Sequence, residues 1–454
     1  MSDLTGGPIA RSLLVFALPT LLSNLLQSLV QTINTIWVGQ FLGEGAVAAT
    51  ANGNIVSFLL FSSVFGFGMA AMVLVGQAAG RRDIASARIA FGGALGFCGL
   101  LSLGVAGIGW IASPTILHAL GTPDSICNLA LPYLRITFVG MPVSMLSTIV
   151  MVALRGVGDS MTPLRFMAVN VVLAIALNPL LIQGFGPLPP LGIAGSALSS
   201  AIAGLVSLIA MLLHIYRRDL PLRLRGQELG HLWPNWPELR FILTKGVPMG
   251  AQMLMMAGSG IALITLVNRE GMAMGAAYGA VLQLWSYIQM PSFAVSAAVS
   301  AMAAQNIGAG LWHRVDRITV SGIIGNSAVT GAMLAVVLLF DRPLLSLFLG
   351  NAGAALELGE RILLISTWAL LLFGVTIILL GTLRANGVVG ISLAILGLCL
   401  FPVRLGFYAL AYDWLGADAI WWSFPICFIT SVILAALVYR HGGWRRQRIT
   451  PHAA

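Results

Sequence analysis

Residues 20–39 have the sequence TLLSNLLQSLVQTINTIWVG and carry no charged side chain. The uncharged stretch around them extends from Arg11 to Glu44, which is longer than the roughly 20 residues that a transmembrane helix needs. Five polar residues recur at intervals of four, three, four and three, namely Thr20, Asn24, Gln27, Gln31 and Asn34. This spacing places them on one face of a helix. In a membrane such a face must turn toward protein or water, so the pattern predicts a membrane helix with a functional side.

The composition of the whole chain is that of a membrane protein. Of its 454 residues 58% are hydrophobic and 9% are charged, with a mean hydropathy of +0.94, whereas a soluble domain carries about 25% charged residues. The pattern predicts an all-α polytopic protein with twelve transmembrane segments, at about 12–38, 47–76, 89–112, 131–153, 163–183, 192–215, 241–267, 275–305, 317–340, 360–383, 389–412 and 419–439. We expect no cleaved signal peptide and no disulfide framework, since there is no basic n-region and the four cysteines are scattered.

The basic residues are distributed unequally between the predicted loops. If the N-terminus is cytoplasmic, the other side receives only Arg269, Arg342 and Arg361, while Arg135 and Arg404 fall within segments. The positive-inside rule therefore predicts a multi-pass protein of the cytoplasmic (inner) membrane with both ends in the cytoplasm. The formal net charge of +9 follows from this topology, so we expect no nucleic-acid partner.

Short motifs recur along the chain at an offset of 229 residues. The matched pairs are Pro19 with Pro248, Pro114 with Pro343, and Arg155 with Arg384. Six helices separate the copies, and this even number predicts a parallel internal repeat. We therefore expect two six-helix bundles, residues 1–225 and 226–454, joined by a polar cytoplasmic linker at about 217–240. Two equivalent lobes with a cleft between them are the usual geometry of alternating access.

Five stretches together resemble one known family. They are ALPTLLSNLLQSLVQTINTIWVGQFLG (17–43), VGQAAGR (75–81), ALRGVGDSMTPL (153–164), LNPLLIQGFGPLPPLGIAGSALSS (177–200) and AAQNIGAG (303–310). In order and spacing they resemble the multidrug and toxic compound extrusion (MATE) transporters of the MOP flippase superfamily. The resemblance covers nearly the whole chain. It implies two six-helix bundles that export organic compounds against an inward flow of sodium ions or protons.

The chain departs from this family at the residues that bind the coupling ion. The resemblance implies Asp at Asn34 and Asn178, and in one branch Asn at Ala174. A second branch uses a Glu in helix 7 and an Asp in helix 10, but residues 246–268 and 363–384 contain no acid. The family's carboxylates therefore do not carry over, and the sequence leaves the coupling ion unknown.

Polar and methionine residues on the expected lobe faces form the candidate substrate-binding set. Its members are Gln27, Gln31, Asn34, Asn178, Gln252, Met256, Gln283 and Tyr287. Met suits a site that accepts varied apolar shapes. Each could instead pack between helices, and Asn178 could satisfy the carbonyl that Pro179 frees. For Arg404 we expect snorkelling or carbonyl pairing; contact with Asp413, Asp418 or an anionic substrate stays open.

The favoured function is secondary-active efflux of organic, drug-like compounds. The expected partners are a small organic substrate, Na⁺ or H⁺ as coupling cation, and membrane lipid, with a monomeric chain and no cofactor. The alternative is a flippase or exporter of a lipid-linked or amphiphilic substrate. An intramembrane enzyme is disfavoured because the membrane segments hold no HExxH motif and no paired carboxylates. A nucleotide-driven pump is disfavoured because there is no GxxxxGK[ST] loop.

Overall fold

The fold is all-α in the residues that the structure, a computed structural model, describes: 4–119, 122, 124–184, 189–350 and 353–446. The first half contains α1 Ile9–Leu42, α2 Glu44–Gly80, α3 Ile84–Ala119, α4 Asp124–Gly156, α5 Met161–Gln183 and α6 Ile193–Arg217. The second half contains α7 Trp236–Arg269, α8 Met272–Gly308, α9 Trp312–Leu339, α10 Asp341–Leu349, α11 Ala354–Ser366, α12 Ala369–Ala385, α13 Gly390–Leu398, α14 Arg404–Leu415 and α15 Asp418–His441. Every predicted segment coincides with a helix or a broken helix, so the predicted fold class is confirmed.

Two of the predicted segments are interrupted helices. The segment predicted at 360–383 is α11 followed by α12, which are bent by 48° at a short break. The segment predicted at 389–412 is α13, a π-helical turn at Cys399–Val403 that contains Pro402, and α14. Proline lacks the N–H that the helix ladder needs, which accounts for an irregular turn at this point.

Most of the long helices could cross a bilayer. Within the described ranges ten helices are long and apolar enough to do so, and α11 with α12 would be an eleventh. Of the predicted segments, only α8 lies outside this count; it has 37 residues and is rich in Ala and Ser. The chain is therefore a multi-pass membrane protein.

The chain divides into two compact units. Within the described residues, the first unit contains 22–250 and the second contains 4–21 and 251–446. The divisions fall inside α1 and inside α7, each two residues after a repeated proline, Pro19 or Pro248. They therefore stand 229 residues apart, like the repeat itself. The predicted lobe boundary at residues 225 and 226 stays a prediction.

Each unit has its own apolar core. In the first unit Val38, Ala49, Leu134 and Ile182 bring α1, α2, α4 and α5 together. In the second unit the core is aromatic, and its rings are Tyr278, Trp285, Phe373, Trp421, Phe424 and Phe428. Buried Trp285 donates its indole N–H to Thr367 Oγ1 at 2.9 Å. This bond ties α8 to the break between α11 and α12, and it satisfies a polar group that burial would otherwise penalise.

The linker between the repeats lies along α3 in the first unit. Its central part is a 3₁₀ turn at Gly226–Leu232. Glycines of α3 let the backbone of the linker approach closely, because a Cβ at Gly92 or Gly96 would collide with His231 or Leu232. Arg88 of α3 donates its Nε–H to the Pro221 carbonyl at 2.8 Å. The linker is thus a packed element of the first unit.

Two acidic groups of the linker, Asp219 and Glu228, have lowered pKa values. Glu228 accepts the Arg225 backbone N–H at 2.8 Å and pairs with Arg88 Nη1 at 2.8 Å, and these contacts hold the pKa of Glu228 below its ordinary value. Asp219 accepts a hydrogen bond from the Arg225 guanidinium at 2.5 Å, which lowers the Asp219 pKa. One of the contacts between the linker and α3, the ion pair of Glu228 with Arg88, therefore needs a charged Glu228.

Candidate functional site

The burial of the polar face of α1 varies along the helix. Thr20 is buried and donates its hydroxyl to the Phe16 carbonyl of its own helix at 3.1 Å. Asn24 is half-buried, while Gln27 and Gln31 are exposed. Asn34, near the end of the helix, is half-buried. The buried end of this face is thus satisfied within the protein, and its middle is open.

Asn34 and Asn178 meet in the first unit. The Asn178 Nδ2 donates to Asn34 Oδ1 at 2.5 Å, and the Asn34 Nδ2 donates to Ser200 Oγ at 3.3 Å. Ser200 in turn donates to the Ser196 carbonyl at 3.2 Å. These contacts form an amide–hydroxyl network that joins α1, α5 and α6. Asn178 is completely buried, and its Oδ1 has no hydrogen-bond partner among the described residues.

The network argues against the alternative role for Asn178, in which its side chain satisfies the carbonyl that Pro179 frees. Although Pro179 follows it, the Asn178 amide N–H₂ donates to a side chain of another helix and not to a freed carbonyl. Ala174, one turn earlier, is buried and supplies no polar atom. Two amides therefore face each other at the positions where the resemblance places ion-binding carboxylates.

The four candidates of the second unit fall into separate places. Gln252 of α7 is buried and donates to the Val389 carbonyl at 3.4 Å. Gln283 and Tyr287 of α8 are exposed, and Gln283 Nε2 donates to Tyr287 Oη at 3.2 Å. Met256 borders a small internal cavity between α7, α12, α13 and α15. The structure therefore pairs Gln283 with Tyr287 but joins neither of them to Gln252 by a hydrogen bond.

Arg404, which the candidate set omitted, is the buried cation of the second unit. It is 4% exposed, so the snorkelling expected from the sequence is wrong. Its Nη1 donates to Ser259 Oγ at 3.0 Å, and its Cζ lies 3.9 Å from the centre of the Phe424 ring. Among the described residues no hydrogen bond joins Arg404 to a backbone carbonyl, so the expected carbonyl pairing is not found either. The acids that the sequence left open are not its partners, because Asp418 pairs with Arg361 and no ion pair in the described residues includes Arg404. The sequence signal was present, since Arg404 lies in an apolar segment without an acid.

The other arginine within a helix is placed differently. Arg135 of α4 is half-buried, and its Cζ lies 5.3 Å from the centre of the Trp110 ring. Such a contact offsets part of the cost of removing the charge from water. Arg135 is therefore less buried than Arg404.

One known protein family matches both halves of the chain. The family profile described as MatE matches residues 19–180 and again residues 248–410. The two matches begin 229 residues apart, which is the offset of the internal repeat.

The chain belongs to the MATE family.

Two multidrug resistance proteins and one solved structure match nearly the whole chain. The "Probable multidrug resistance protein YoeA" of Bacillus subtilis (strain 168) is 35% identical over 97% of this chain and 95% of its own length. The "Probable multidrug resistance protein YpnP" of the same organism is 32% identical over 98% of both chains. The solved structure described as "Crystal structure of MATE in complex with MaD3S" superposes with a TM-score of 0.88 over 97% of both chains at 19% identity, which shows a shared fold.

Proposed function

We propose that this MATE-family chain is a secondary-active exporter of organic, drug-like compounds in the cytoplasmic membrane. Alternating access, driven by a sodium or proton gradient, would carry the substrate outward. Membership of a transporter family supports the general activity, and the names of YoeA and YpnP support multidrug compounds as the substrates. We expect the chain to act as a monomer with both ends in the cytoplasm.

The proposed coupling mechanism rests on the network of Asn34, Asn178 and Ser200. Its three side chains are neutral, so none of them exchanges a proton in the physiological range. A buried carboxylate at either position would have its pKa raised by desolvation and could take up and release a proton. We therefore propose that this network binds substrate or steadies the unit, and that coupling does not depend on its titration.

The candidate substrate-binding residues come from both units. Gln27, Gln31, Asn34 and Asn178 would contribute from the first unit. Gln252, Met256, Gln283 and Tyr287 would contribute from the second. Exposed amides and a phenol offer hydrogen bonds in several directions, and Met256 offers an adaptable apolar surface. Such a mixture suits organic substrates of varied shape.

Replacing Asn34 tests this account of coupling. We expect Asn34→Asp to give ethidium flux a dependence on external pH that the native protein lacks, because the new carboxylate titrates while the amide does not. Asn34→Ala should reduce flux about tenfold or less, since it removes two hydrogen bonds of about 1 kcal/mol each. The measurement is ethidium uptake into inverted vesicles, with sodium and proton gradients imposed separately.

The matched control is Thr35→Ala, which removes a hydroxyl whose one hydrogen bond among the described residues is to the Gln31 carbonyl of its own helix. Flux should stay near the native level in this variant. A native protein that already follows the proton gradient, with a pH profile unchanged in Asn34→Asp, would contradict the proposed role of the network.

A further inference from the structure

Arg404 carries a positive charge that the described part of the chain leaves without a counterion. It is the first residue of α14 and directly follows the π-helical turn at Cys399–Val403. Its one side-chain hydrogen bond among the described residues joins Nη1 to Ser259 Oγ at 3.0 Å. The Ser259 hydroxyl donates to the Leu400 carbonyl at 3.3 Å, so its lone pair is available to the guanidinium. No described carboxylate lies within ion-pair distance of Arg404.

The surrounding protein contacts the Arg404 guanidinium on one edge and on one face. Ser259 takes Nη1, and the Phe424 ring covers the face at 3.9 Å from Cζ. The Nε–H has no partner in the described residues. Nε and Nη2 form the edge of an arginine that binds a carboxylate or a phosphate through two parallel hydrogen bonds. The edge that recognises an oxyanion therefore makes no hydrogen bond among the described residues.

An apolar cavity lies beside this arginine in the same unit. Its lining includes Cys399 and Leu400 of the π-helical turn, together with Met256 and Phe428. Phe428 also lies next to the guanidinium, with its ring centre 6.0 Å from Arg404 Cζ. The cavity has a volume of about 20 Å³, room for a single water molecule. A flexible methionine on its wall can move to enlarge it.

These features together describe a site for an amphiphilic anion. We propose that Arg404 binds the carboxylate or phosphate group of an organic anion through its Nε–Nη2 edge, with the apolar part of that molecule against Met256 and Phe428. The inference rests on the proposed transport function, because it names a class of substrate for this chain. The anion comes either from a free organic compound or from the headgroup of an anionic lipid, since the chemistry of recognition is the same.

A purely structural role for Arg404 leads to a different expectation. A cation that serves packing should be replaceable only at a loss of stability. A cation that awaits a ligand is itself a cost in the empty protein, since a buried charge without a counterion is unfavourable. Replacing it with a neutral residue should then leave the unfolding temperature of the ligand-free protein unchanged or raise it. The two roles therefore differ in the sign of a measurable shift.

The test uses the full-length protein in nanodiscs of phosphatidylcholine, with fluorescein as an aromatic carboxylate probe. We expect Arg404→Gln to weaken fluorescein binding, measured by fluorescence anisotropy, about tenfold or more, as for the loss of one charge-assisted bidentate contact. Arg404→Lys should weaken it less, because the ammonium keeps the charge but not the fork. Arg135→Gln is the matched control, since it also neutralises a helix arginine stacked on an aromatic ring, and its binding should equal that of the native protein.

A second arm separates the lipid source from the free compound. Native protein and Arg404→Gln are compared in nanodiscs with and without phosphatidylglycerol. A rise in unfolding temperature on adding phosphatidylglycerol, seen in the native protein and lost in Arg404→Gln, would identify the lipid headgroup as the anion. The proposal is overturned if Arg404→Gln changes neither fluorescein binding nor the response to phosphatidylglycerol, or if it lowers the unfolding temperature of the ligand-free protein.

Ethidium transport in proteoliposomes keeps this inference distinct from the proposed function. Equal ethidium flux in native protein and Arg404→Gln, with no difference in anion binding, would leave the export function standing and refute the anion site. Loss of anion binding in Arg404→Gln, with no ethidium or fluorescein transported by the native protein, would support the anion site and refute the export function.

Discussion

At residues 34 and 178 this protein has amides where the family resemblance implies carboxylates. An amide has nearly the shape of a carboxylate, but it both donates and accepts hydrogen bonds and has no charge to lose. Asn34 uses both abilities, because it accepts from Asn178 and donates to Ser200. An aspartate at residue 34 would keep the first contact and, when ionised, could not make the second. The substitution of amide for acid therefore changes which partners the helix can hold, as well as its response to pH.

The open part of the α1 face gives a test at a single position. Gln31 and Ile36 are both exposed on α1, and they lie about 140° apart around the helix. We expect Gln31→Cys to react with a small hydrophilic thiol reagent at least tenfold faster than Ile36→Cys, because a polar face should contact water while an isoleucine face contacts lipid. The measurement is the labelling rate in vesicles, in a background where half-buried Cys127 is replaced by Ser. Equal rates would mean that the polar face packs against protein or lipid.

At the scale of helices, hydropathy located the segments but not their interruptions. A run of apolar residues predicts that a stretch crosses the membrane, and this property placed the twelve segments, including the long α7 and α8. The bend between α11 and α12 has no such signal, because neither Thr367 nor Trp368 is a proline or a glycine. At the break Thr367 accepts a hydrogen bond from Trp285, which is 82 positions earlier in the chain. Short α10, at Asp341–Leu349, escaped prediction because nine residues are too few to cross a bilayer.

The sequence alone predicted only part of the candidate site. Residue spacing identified the α1 face, and the family resemblance identified Asn178. The contact between Asn34 and Asn178 joins residues that are 144 positions apart, and no local pattern specifies such a pair. Gln252 matched the same polar criterion as Gln31, yet it is buried against a backbone carbonyl. Whether a polar residue faces a neighbour or open space depends on how the helices pack, which one sequence does not contain.

The linker gives a prediction about one element. Ionised Glu228 accepts the Arg225 backbone N–H and pairs with Arg88 of α3, so its folded pKa lies below its ordinary value of 4.5. A group with a lowered pKa stabilises the folded form fully above its ordinary value, and this contribution is lost as the pH falls through the folded pKa. We expect a spin label at Gln227 to be immobile at neutral pH and to gain mobility in acid below about pH 4.5. Glu228→Gln should raise the mobility of this label at pH 7. The increase should be less than about fivefold, because a half-exposed ion pair contributes little stability.

The control for this measurement is Glu357→Gln, at an exposed glutamate of α11 outside the linker. This variant should keep the native mobility and the native pH profile at Gln227. A label that is already mobile in the native protein at pH 7, or a profile that Glu228→Gln leaves unchanged, would show that the glycine contacts of α3 hold the linker without the ion pair.

At the scale of the whole molecule, duplication explains features that composition cannot. Both halves match the same family profile, and both contain a proline just before the place where the chain passes from one compact unit to the other. The polar groups have nevertheless diverged. The first unit pairs half-buried Asn34 with buried Asn178, whereas the second unit buries the Arg404 guanidinium against aromatic rings. The two proposals above assign these two groups different roles.

The number of membrane crossings depends on α8, and labelling can decide it. If α8 crosses, twelve crossings place both ends on the cytoplasmic side and Met272, at the start of α8, outside. We expect an impermeant maleimide on spheroplasts to label Met272→Cys, which is 94% exposed, and to leave Gln227→Cys and Arg446→Cys unlabelled until the cells are lysed. If α8 does not cross, every later helix inverts, and Arg446→Cys is labelled together with Met272→Cys. That outcome would also place Arg314 and Arg317 outside, against the positive-inside rule, while labelling of Gln227→Cys would contradict the assignment of the first six helices.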